Sequence, residues 1–268
     1  MKNILEEWRK FLAEQFDSSK FPFTDTASQE EADAIWTGGE EENDGDADDD
    51  KIVVRRDAPF TCQDLNPSQK DIRIPDSVEF GLNMIGGKYP MGGNLGVIVS
   101  ADNFIMDGHH RWAGSWLAGG PNTKVTATQV MLPKEELLPV LAAIGDHFHP
   151  GKRNPGASGG ALNIFDAPVR EVGDYIRLLN DEDNVTKYMT REEANLFTQK
   201  AGGLDALIDM FEERANQIKG QKGDELRGLP PREEMPVISK SEVDPTVNAL
   251  EKGQVDVYPP YRKETNET

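Results

Sequence analysis

One short stretch of the chain combines residue types that bind phosphate, Asp107-Gly108-His109-His110-Arg111. A glycine lets the backbone turn sharply and lets a ligand approach closely. The residues after Gly108 begin a helical pattern, and the free N–H groups and dipole at a helix N-terminus favour an anion. Arg111 would lie in the first helical turn, where a guanidinium can donate two hydrogen bonds to phosphate. We therefore predict a phosphate- or nucleotide-binding turn over Gly108, His109, His110 and Arg111.

Three side chains of the same stretch are candidate catalytic residues. His109 and His110 could act as general acid or base near neutral pH. Asp107 could cap the helix, orient a histidine, or contribute a carboxylate to a divalent cation such as Mg²⁺. The alternative is structural: one histidine packs under the strands, the other is solvated, and Arg111 forms an ordinary salt bridge.

The elements that must position this turn alternate between strand and helix patterns. β-Branched residues predict strands at 51–56, 95–100, 104–106 and 123–132. Helical spacing predicts helices at 77–85, 109–118, 134–144, 169–179, 191–201 and 204–218. Gly92, Gly93 and Asn94 form a candidate substrate loop, and we assign Trp112 and Trp116 to the core. These elements predict an α/β (α+β) fold, a small mixed sheet with flanking helices followed by a helical extension.

Charge and composition divide the 268 residues into a nearly neutral middle and acidic flanks. The formal net charge is −19, from 29 Lys+Arg and 48 Asp+Glu. We predict an amphipathic helix and an acidic linker over 1–56, a core domain over 57–135, a helical extension over 136–218, and a polar tail over 219–268. Because duplex affinity depends on Lys and Arg that neutralise phosphates, the acidity disfavours wholesale coating of DNA.

Cysteine and hydropathy patterns exclude several classes of protein. The single cysteine, Cys62, cannot form an intramolecular disulfide or a Cys-rich zinc site, and it fits a reducing compartment. The longest apolar run, 137–144, is far shorter than the ~20 residues that span a bilayer. No basic region followed by an apolar run opens the chain. We therefore expect a soluble protein with no membrane partner and no secretory signal of its own.

Two further patterns have some features of metal sites. Alternating aspartates from Asp44 resemble a calcium loop, but Asp49 occupies the glycine position and Arg55 the position of the bidentate glutamate. His147 and His149 have the spacing of ligands on one strand face, yet the surrounding sequence offers no clear third ligand. Neither pattern predicts a metal site.

The segment 95–120, with Gly108 and Arg111 at its centre, resembles the core of the ParB/sulfiredoxin superfamily, often called the ParB-like nuclease domain. In that family two short strands lead into a Gly-x-x-Arg turn and a helix with small residues, and Ala113 is such a residue. Upstream, Asn66-Pro67-Ser68-Gln69 is similar to the proline-containing stretch that opens the domain. The resemblance covers roughly residues 57–135.

This resemblance implies a function but leaves the reaction open. It implies binding of a nucleotide, such as ATP or CTP, or of a nucleic-acid phosphate at Gly108–Arg111. Phosphodiester hydrolysis with Mg²⁺ is the reaction that the family label suggests, and phosphoryl transfer, as in the free-serine kinases of the superfamily, is the alternative. His109 stands where sulfiredoxins need a cysteine, which excludes their thiol chemistry. A second Asn/Arg motif and a helix-turn-helix region are missing, so we do not expect a DNA-sliding clamp.

A second hypothesis concerns assembly without catalysis. The first fifteen residues, MKNILEEWRKFLAEQ, resemble the capsid-targeting leaders of large tailed bacteriophages, which are cut after a glutamate, here Glu14. This resemblance implies a phage virion or assembly protein that binds capsid or scaffold through residues 2–16. The expected location is then the host cytoplasm or the interior of the virion. Both hypotheses can hold together, since a phage can package an enzyme.

Overall fold

The computed structural model describes Trp36 and residues 51–154, 162–181, 190–223, 229–239, 241–255 and 257. Among these residues the chain forms five strands and seven α-helices. Their bounds are β1 Val54–Thr61, β2 Asn66–Pro67, α1 Ile74–Gly86, β3 Gly93–Val99, β4 Phe104–Asp107, α2 His109–Gly119, β5 Lys124–Val130, α3 Lys134–Phe148, α4 Arg170–Leu179, α5 Arg191–Lys200, α6 Leu204–Lys222 and α7 Val243–Lys252. Short 3-10 turns lie at Cys62–Asp64 and Arg232–Glu234.

The five strands form one mixed sheet in the order β1-β5-β3-β4-β2. β1 and β5 are antiparallel, as are β3 and β4, whereas β5–β3 and β4–β2 are parallel pairs. The predicted α+β class with a small mixed sheet is therefore confirmed. Because parallel strands end at the same edge of a sheet, the residues that follow β2 and β4 meet there. Ser68 and Gly108 are those residues.

Apolar side chains cover both faces of the sheet. Successive residues of β3 alternate between the faces, so Val97 and Val99 join one cluster and Ile98 joins the other. Helices α1, α2, α4, α5 and α6 contribute to the first cluster, and α3 and α7 contribute to the second. Trp112 and Trp116 are fully buried and pack edge to face with their ring centroids 5.6 Å apart, as expected of core residues. The predicted helical extension thus shares the core of the sheet.

The prediction of a polar tail from residue 219 is wrong at two places. Helix α6 continues to Lys222, and α7 lies within the supposed tail. Val247 and Leu250 of α7 are fully buried, and the N–H of Ile52 donates to the carbonyl of Leu250 at 3.0 Å. The prediction failed because it relied on the average composition of the region, which is polar. Helix α7 carries a single apolar stripe between charged residues, and that stripe is enough to attach the helix to the core.

The amino-terminal predictions lie mostly outside the described residues. These are the amphipathic helix over 2–16, the cleavage point after Glu14 and the acidic run over 40–50. Trp36 is described, and its ring stacks on His147 with centroids 5.1 Å apart and meets the Phe148 ring edge to face at 4.9 Å. No helix in the described part of the chain is both long and apolar enough to cross a membrane.

Candidate functional site

A cavity of about 250 Å³ opens where β4 ends and α2 begins. One side of it is the predicted turn, Asp107–Arg111, and the whole of this turn contributes to the lining. The opposite side belongs to residues 229–239, which we call the strap, through the five residues Arg232, Met235, Pro236, Val237 and Ile238. The structure therefore brings all of the residues predicted for phosphate binding into one cavity.

Gly108 makes the tight junction between β4 and α2. Its φ of 93° lies in the left-handed region that favours glycine. A Cβ atom at this position would lie 2.2 Å from Cγ1 of Val97 and 2.8 Å from Nη2 of Arg111. Gly108, the N-cap residue of α2, has no side chain that could cap the helix. Helical geometry leaves the N–H groups of His109 and His110 without an intrahelical acceptor, whereas that of Arg111 donates to the Gly108 carbonyl at 3.0 Å. These N–H groups give the turn an anion-binding character.

Arg111 is held in place by Asp107. Its Nη2 donates to Oδ2 of Asp107 at 2.6 Å, four residues earlier in the chain. Burial raises the pKa of Asp107, and the charge of Arg111 opposes that rise. The guanidinium also lies close to β3, since a Cβ on Gly96 would be 3.4 Å from Nη1 of Arg111. The ion pair thus fixes the guanidinium beside the turn and leaves its other donors for a ligand.

The arrangement fits a divalent cation at Asp107 poorly. Oδ2 of Asp107 already accepts from Arg111, and the nearby Gly108 backbone N–H also acts to lower the pKa of that carboxyl. Among the described residues no group of three His, Cys, Asp or Glu could hold a metal ion. Asp107 alone could bind Mg²⁺ only together with the phosphates of a bound nucleotide, the common way in which Mg²⁺ is held at nucleotide sites.

Both histidines of the turn accept hydrogen bonds from backbone N–H groups. Nε2 of His109 accepts from the Ser68 N–H at 3.1 Å, and Nε2 of His110 accepts from the Arg73 N–H at 3.1 Å. Burial is the main cause that lowers the pKa of His109 and of His110 to about 3 in each case. Both imidazoles are therefore neutral at physiological pH, and their Nε2 atoms are engaged in holding residues 68–73 against α2. A catalytic role for either histidine stays a prediction.

Sequence reasoning missed Arg232. This residue lies in the 3-10 turn of the strap, and its backbone N–H donates to Oδ2 of Asp71 at 3.1 Å. Burial lowers the pKa of Arg232, while the charges of Asp76, Asp107 and Asp71 act against that shift. The available signal was local: the prolines and apolar residues of LPPREEMPVI, 229–238, interrupt an otherwise polar region. Such a run in a polar region is typical of a segment that packs on the fold.

The predicted substrate loop does not reach the cavity. Gly92, Gly93 and Asn94 are absent from its described lining. Gly93 and Asn94 begin β3 and pair with the backbone of β5, and a Cβ on Gly92 would lie 2.2 Å from a carbonyl oxygen of the same neighbouring chain segment. Oδ1 of Asn94 accepts from the Gly96 N–H at 2.6 Å. The prediction of a substrate loop is not supported by this placement, because strand pairing uses these residues.

The other polar groups singled out in the sequence have structural partners. Nε2 of His149 lies 3.0 Å from a carboxylate oxygen of Glu242, and Arg153 donates to Asp146 at 2.7 Å. Cys62 is fully buried, and burial raises its pKa to about 12. None of these groups contributes to the cavity lining among the described residues.

Comparisons with known proteins add no relative. No protein-family model matches the chain, and neither a curated protein nor a solved structure does. The resemblance to the ParB/sulfiredoxin superfamily therefore stays a prediction from the residues around Gly108 and Arg111. The function has to be argued from the geometry of the cavity.

Proposed function

We propose that this protein binds the phosphate group of a nucleotide in the cavity at the β4–α2 turn. The observation that supports this proposal is that the N-terminus of α2, Arg111 and Arg232 line the same cavity. Helix N–H groups and guanidinium donors are the groups that proteins most often present to phosphate. ATP and CTP are the nucleotides implied by the resemblance, and both carry such a group.

The local charge supports an anionic ligand in spite of the acidic chain. The formal net charge is −19, yet Arg73, Arg111 and Arg232 all act electrostatically on His110. Asp71, Asp76 and Asp107 offset this positive charge around the site. Of the charged side chains that line the cavity, however, two are arginines, Arg111 and Arg232, and one is an aspartate, Asp107. An anion that enters the cavity would therefore meet positive charge in a partly buried place, where electrostatic interactions are screened less than at the surface.

Binding is better supported than catalysis. General acid–base chemistry needs a side chain that can exchange a proton with the reacting group. The Nε2 atoms of His109 and His110 accept backbone hydrogen bonds, and Asp107 is paired with Arg111. Phosphodiester hydrolysis and phosphoryl transfer thus remain reactions that the resemblance implies, whereas phosphate binding uses groups that face the cavity.

Isothermal titration calorimetry of the full chain with ATP and CTP, each with and without Mg²⁺, tests the proposal. We expect Arg111→Ala to weaken nucleotide binding by about tenfold to a hundredfold, because a hydrogen bond to a charged group contributes ~1.5–3 kcal/mol. Arg177→Ala is the matched control, since Arg177 is an exposed arginine of α4 that pairs with Asp174 at 2.9 Å. This control should bind like the wild type.

Two results would contradict the proposal. One is a wild-type protein that binds neither ATP, nor CTP, nor any nucleoside 5′-monophosphate. The other is a folded Arg111→Ala variant with wild-type affinity, which would place the nucleotide away from the turn. Urea unfolding of both variants shows whether an affinity loss comes with a loss of the fold.

A further inference from the structure

The strap is attached to the molecule on the side of the cavity near β2. The N–H of Lys70 donates to the carbonyl of Pro230 at 3.1 Å. Two residues later, the N–H of Arg232 donates to Oδ2 of Asp71 at 3.1 Å. Asp71 is buried, so this second bond is protected from water. These contacts fix the part of the strap that carries the Arg232 guanidinium.

The strap is attached again on the side of the cavity near the end of α3. Nδ2 of Asn154 donates to the carbonyls of Met235 and Pro236 at 2.9 and 3.1 Å. Gly145 of α3 lets the strap approach closely, because a Cβ there would lie only 3.0 Å from the backbone nitrogen of Val237. The strap is therefore held at two points, 230–232 and 235–237, and both contribute to the lining of the cavity.

The strap contributes one charged and several apolar side chains to the lining of the cavity. The Arg232 guanidinium is close enough to act electrostatically on Asp107 and on both histidines of the turn. Met235, Val237 and Ile238 are the apolar side chains, which we call the apolar wall, and Met106, the residue before the turn, adds a further one. A bare phosphate ion would pair with Arg232 and leave the apolar wall in contact with water. A ligand that also covers this wall must carry an apolar body next to its phosphate.

We propose that this cavity is a site for a free, small phosphate ester of nucleoside-monophosphate size, an inference that rests on the proposed function. The strap excludes the internal phosphates of a nucleic-acid strand. The phosphate lies on the turn and Arg232, and the nucleobase packs against the apolar wall. The cavity of about 250 Å³ is small for a ligand site, since such sites span ~300–1,000 Å³. An internal phosphodiester continues as chain on both sides, and a cavity of this volume has room for only one of them.

The direct test compares three probes by calorimetry on the full chain. These are inorganic phosphate, the four ribonucleoside 5′-monophosphates, and a single-stranded 12-mer without terminal phosphates. We expect at least one monophosphate to bind about tenfold more tightly than inorganic phosphate, because it buries apolar surface against the strap. We expect the 12-mer to bind at least about tenfold more weakly than that monophosphate.

Strap variants show which part of the affinity comes from the strap. In Gly145→Ala the new methyl group would lie 3.0 Å from the Val237 backbone nitrogen, so the strap must shift by a few tenths of an ångström. We expect monophosphate affinity to fall about tenfold with less than a threefold change for inorganic phosphate. The control is Gly220→Ala, also within a helix, where a Cβ would meet nothing within 4 Å. Asn154→Ala removes the two hydrogen bonds to the strap and serves as a second variant if the first fails to fold. Because Asn154 also lines the cavity, its loss of monophosphate affinity is assigned to the strap only if inorganic phosphate binding changes less than threefold.

The outcomes separate this inference from the proposed function. If the 12-mer or inorganic phosphate binds as tightly as the best monophosphate, and does so through Arg111, the inference is overturned and the proposed function stands. The inference is also overturned if both strap variants retain wild-type monophosphate affinity. If the wild type binds none of the probes and neither ATP nor CTP, the proposed function fails and the inference fails with it.

Discussion

The two sides of the cavity differ in how the chain builds them. The turn is contiguous with β4 and α2, and its internal contacts, such as Arg111 to Asp107, join residues four positions apart. The strap returns from far along the chain, and the bond from Arg232 to Asp71 joins residues 161 positions apart. Neighbouring elements therefore determine the shape of the turn, whereas the position of the strap depends on contacts with residues distant in sequence.

This difference separates the expected effects of substitutions. Gly108, His109 and His110 connect the turn to the sheet and to residues 68–73, so changes there should act mainly on the free energy of unfolding. The hydrogen bonds of the strap to Lys70, Asp71 and Asn154 use its backbone atoms, so we expect replacement of the Arg232 side chain to act mainly on ligand affinity.

Replacing Gly108 should give the largest effect. Gly108→Ala puts a methyl group 2.2 Å from Cγ1 of Val97 at a φ of 93°. A left-handed conformation costs ~1–2 kcal/mol for a residue with a Cβ, and overpacking costs ~1–3 kcal/mol. We expect the free energy of unfolding in urea to fall by about 4 kcal/mol.

Gly151→Ala is the matched control for Gly108→Ala. Gly151 also has a positive φ, 68°, but a Cβ there would meet nothing within 4 Å. The free energy of unfolding of Gly151→Ala should therefore fall only by the cost of the left-handed conformation, about 1–2 kcal/mol. Equal losses at the two positions would mean that the contact with Val97 relaxes freely and that the β4–α2 junction is not tightly packed.

The same difference explains what the sequence could predict. The strands at 95–100 and 104–106, the turn and the helix from His109 are specified by nearby residues, and all are present in the structure within a few residues of their predicted ends. Arg232 and α7 could not be placed in this way, because their partners, Asp71 and Ile52, are distant in sequence. The roles of Gly92, Gly93 and Asn94 depended on strand pairing, which composition alone does not reveal.

The pH dependence of stability tests whether the histidines of the turn are structural. An unfolded histidine has its ordinary pKa of 6.5, whereas burial lowers the pKa of folded His109 to about 3. Below pH 6.5, His109 therefore binds a proton in the unfolded chain but not in the folded chain. As a result, the free energy of unfolding falls as the pH drops toward 3. By pH 5 the loss from His109 should be about 2 kcal/mol.

His109→Gln should remove that share of the pH dependence. Glutamine does not titrate in this range, and its amide oxygen can accept from the Ser68 N–H as Nε2 of His109 does. Between pH 7 and pH 5 we expect the urea-measured loss of stability to be about 2 kcal/mol smaller than in the wild type. The same pH slope in both proteins would mean that folded His109 takes up a proton, and would favour the catalytic alternative.

Replacing Arg232 should change the free energy of ligand binding, and this change should be smaller than the changes in unfolding free energy predicted above. Arg232→Ala should weaken nucleoside-monophosphate binding about tenfold, or ~1.4 kcal/mol, through loss of one guanidinium contact to phosphate. The bonds that attach the strap to Lys70 and Asp71 use its backbone, so they persist in this variant. Arg232→Lys keeps the charge without the planar fork and should lose less affinity. If Arg232→Ala instead unfolds the protein as readily as Gly108→Ala and leaves affinity unchanged, the strap is a structural brace, and the separation between the two sides of the cavity fails.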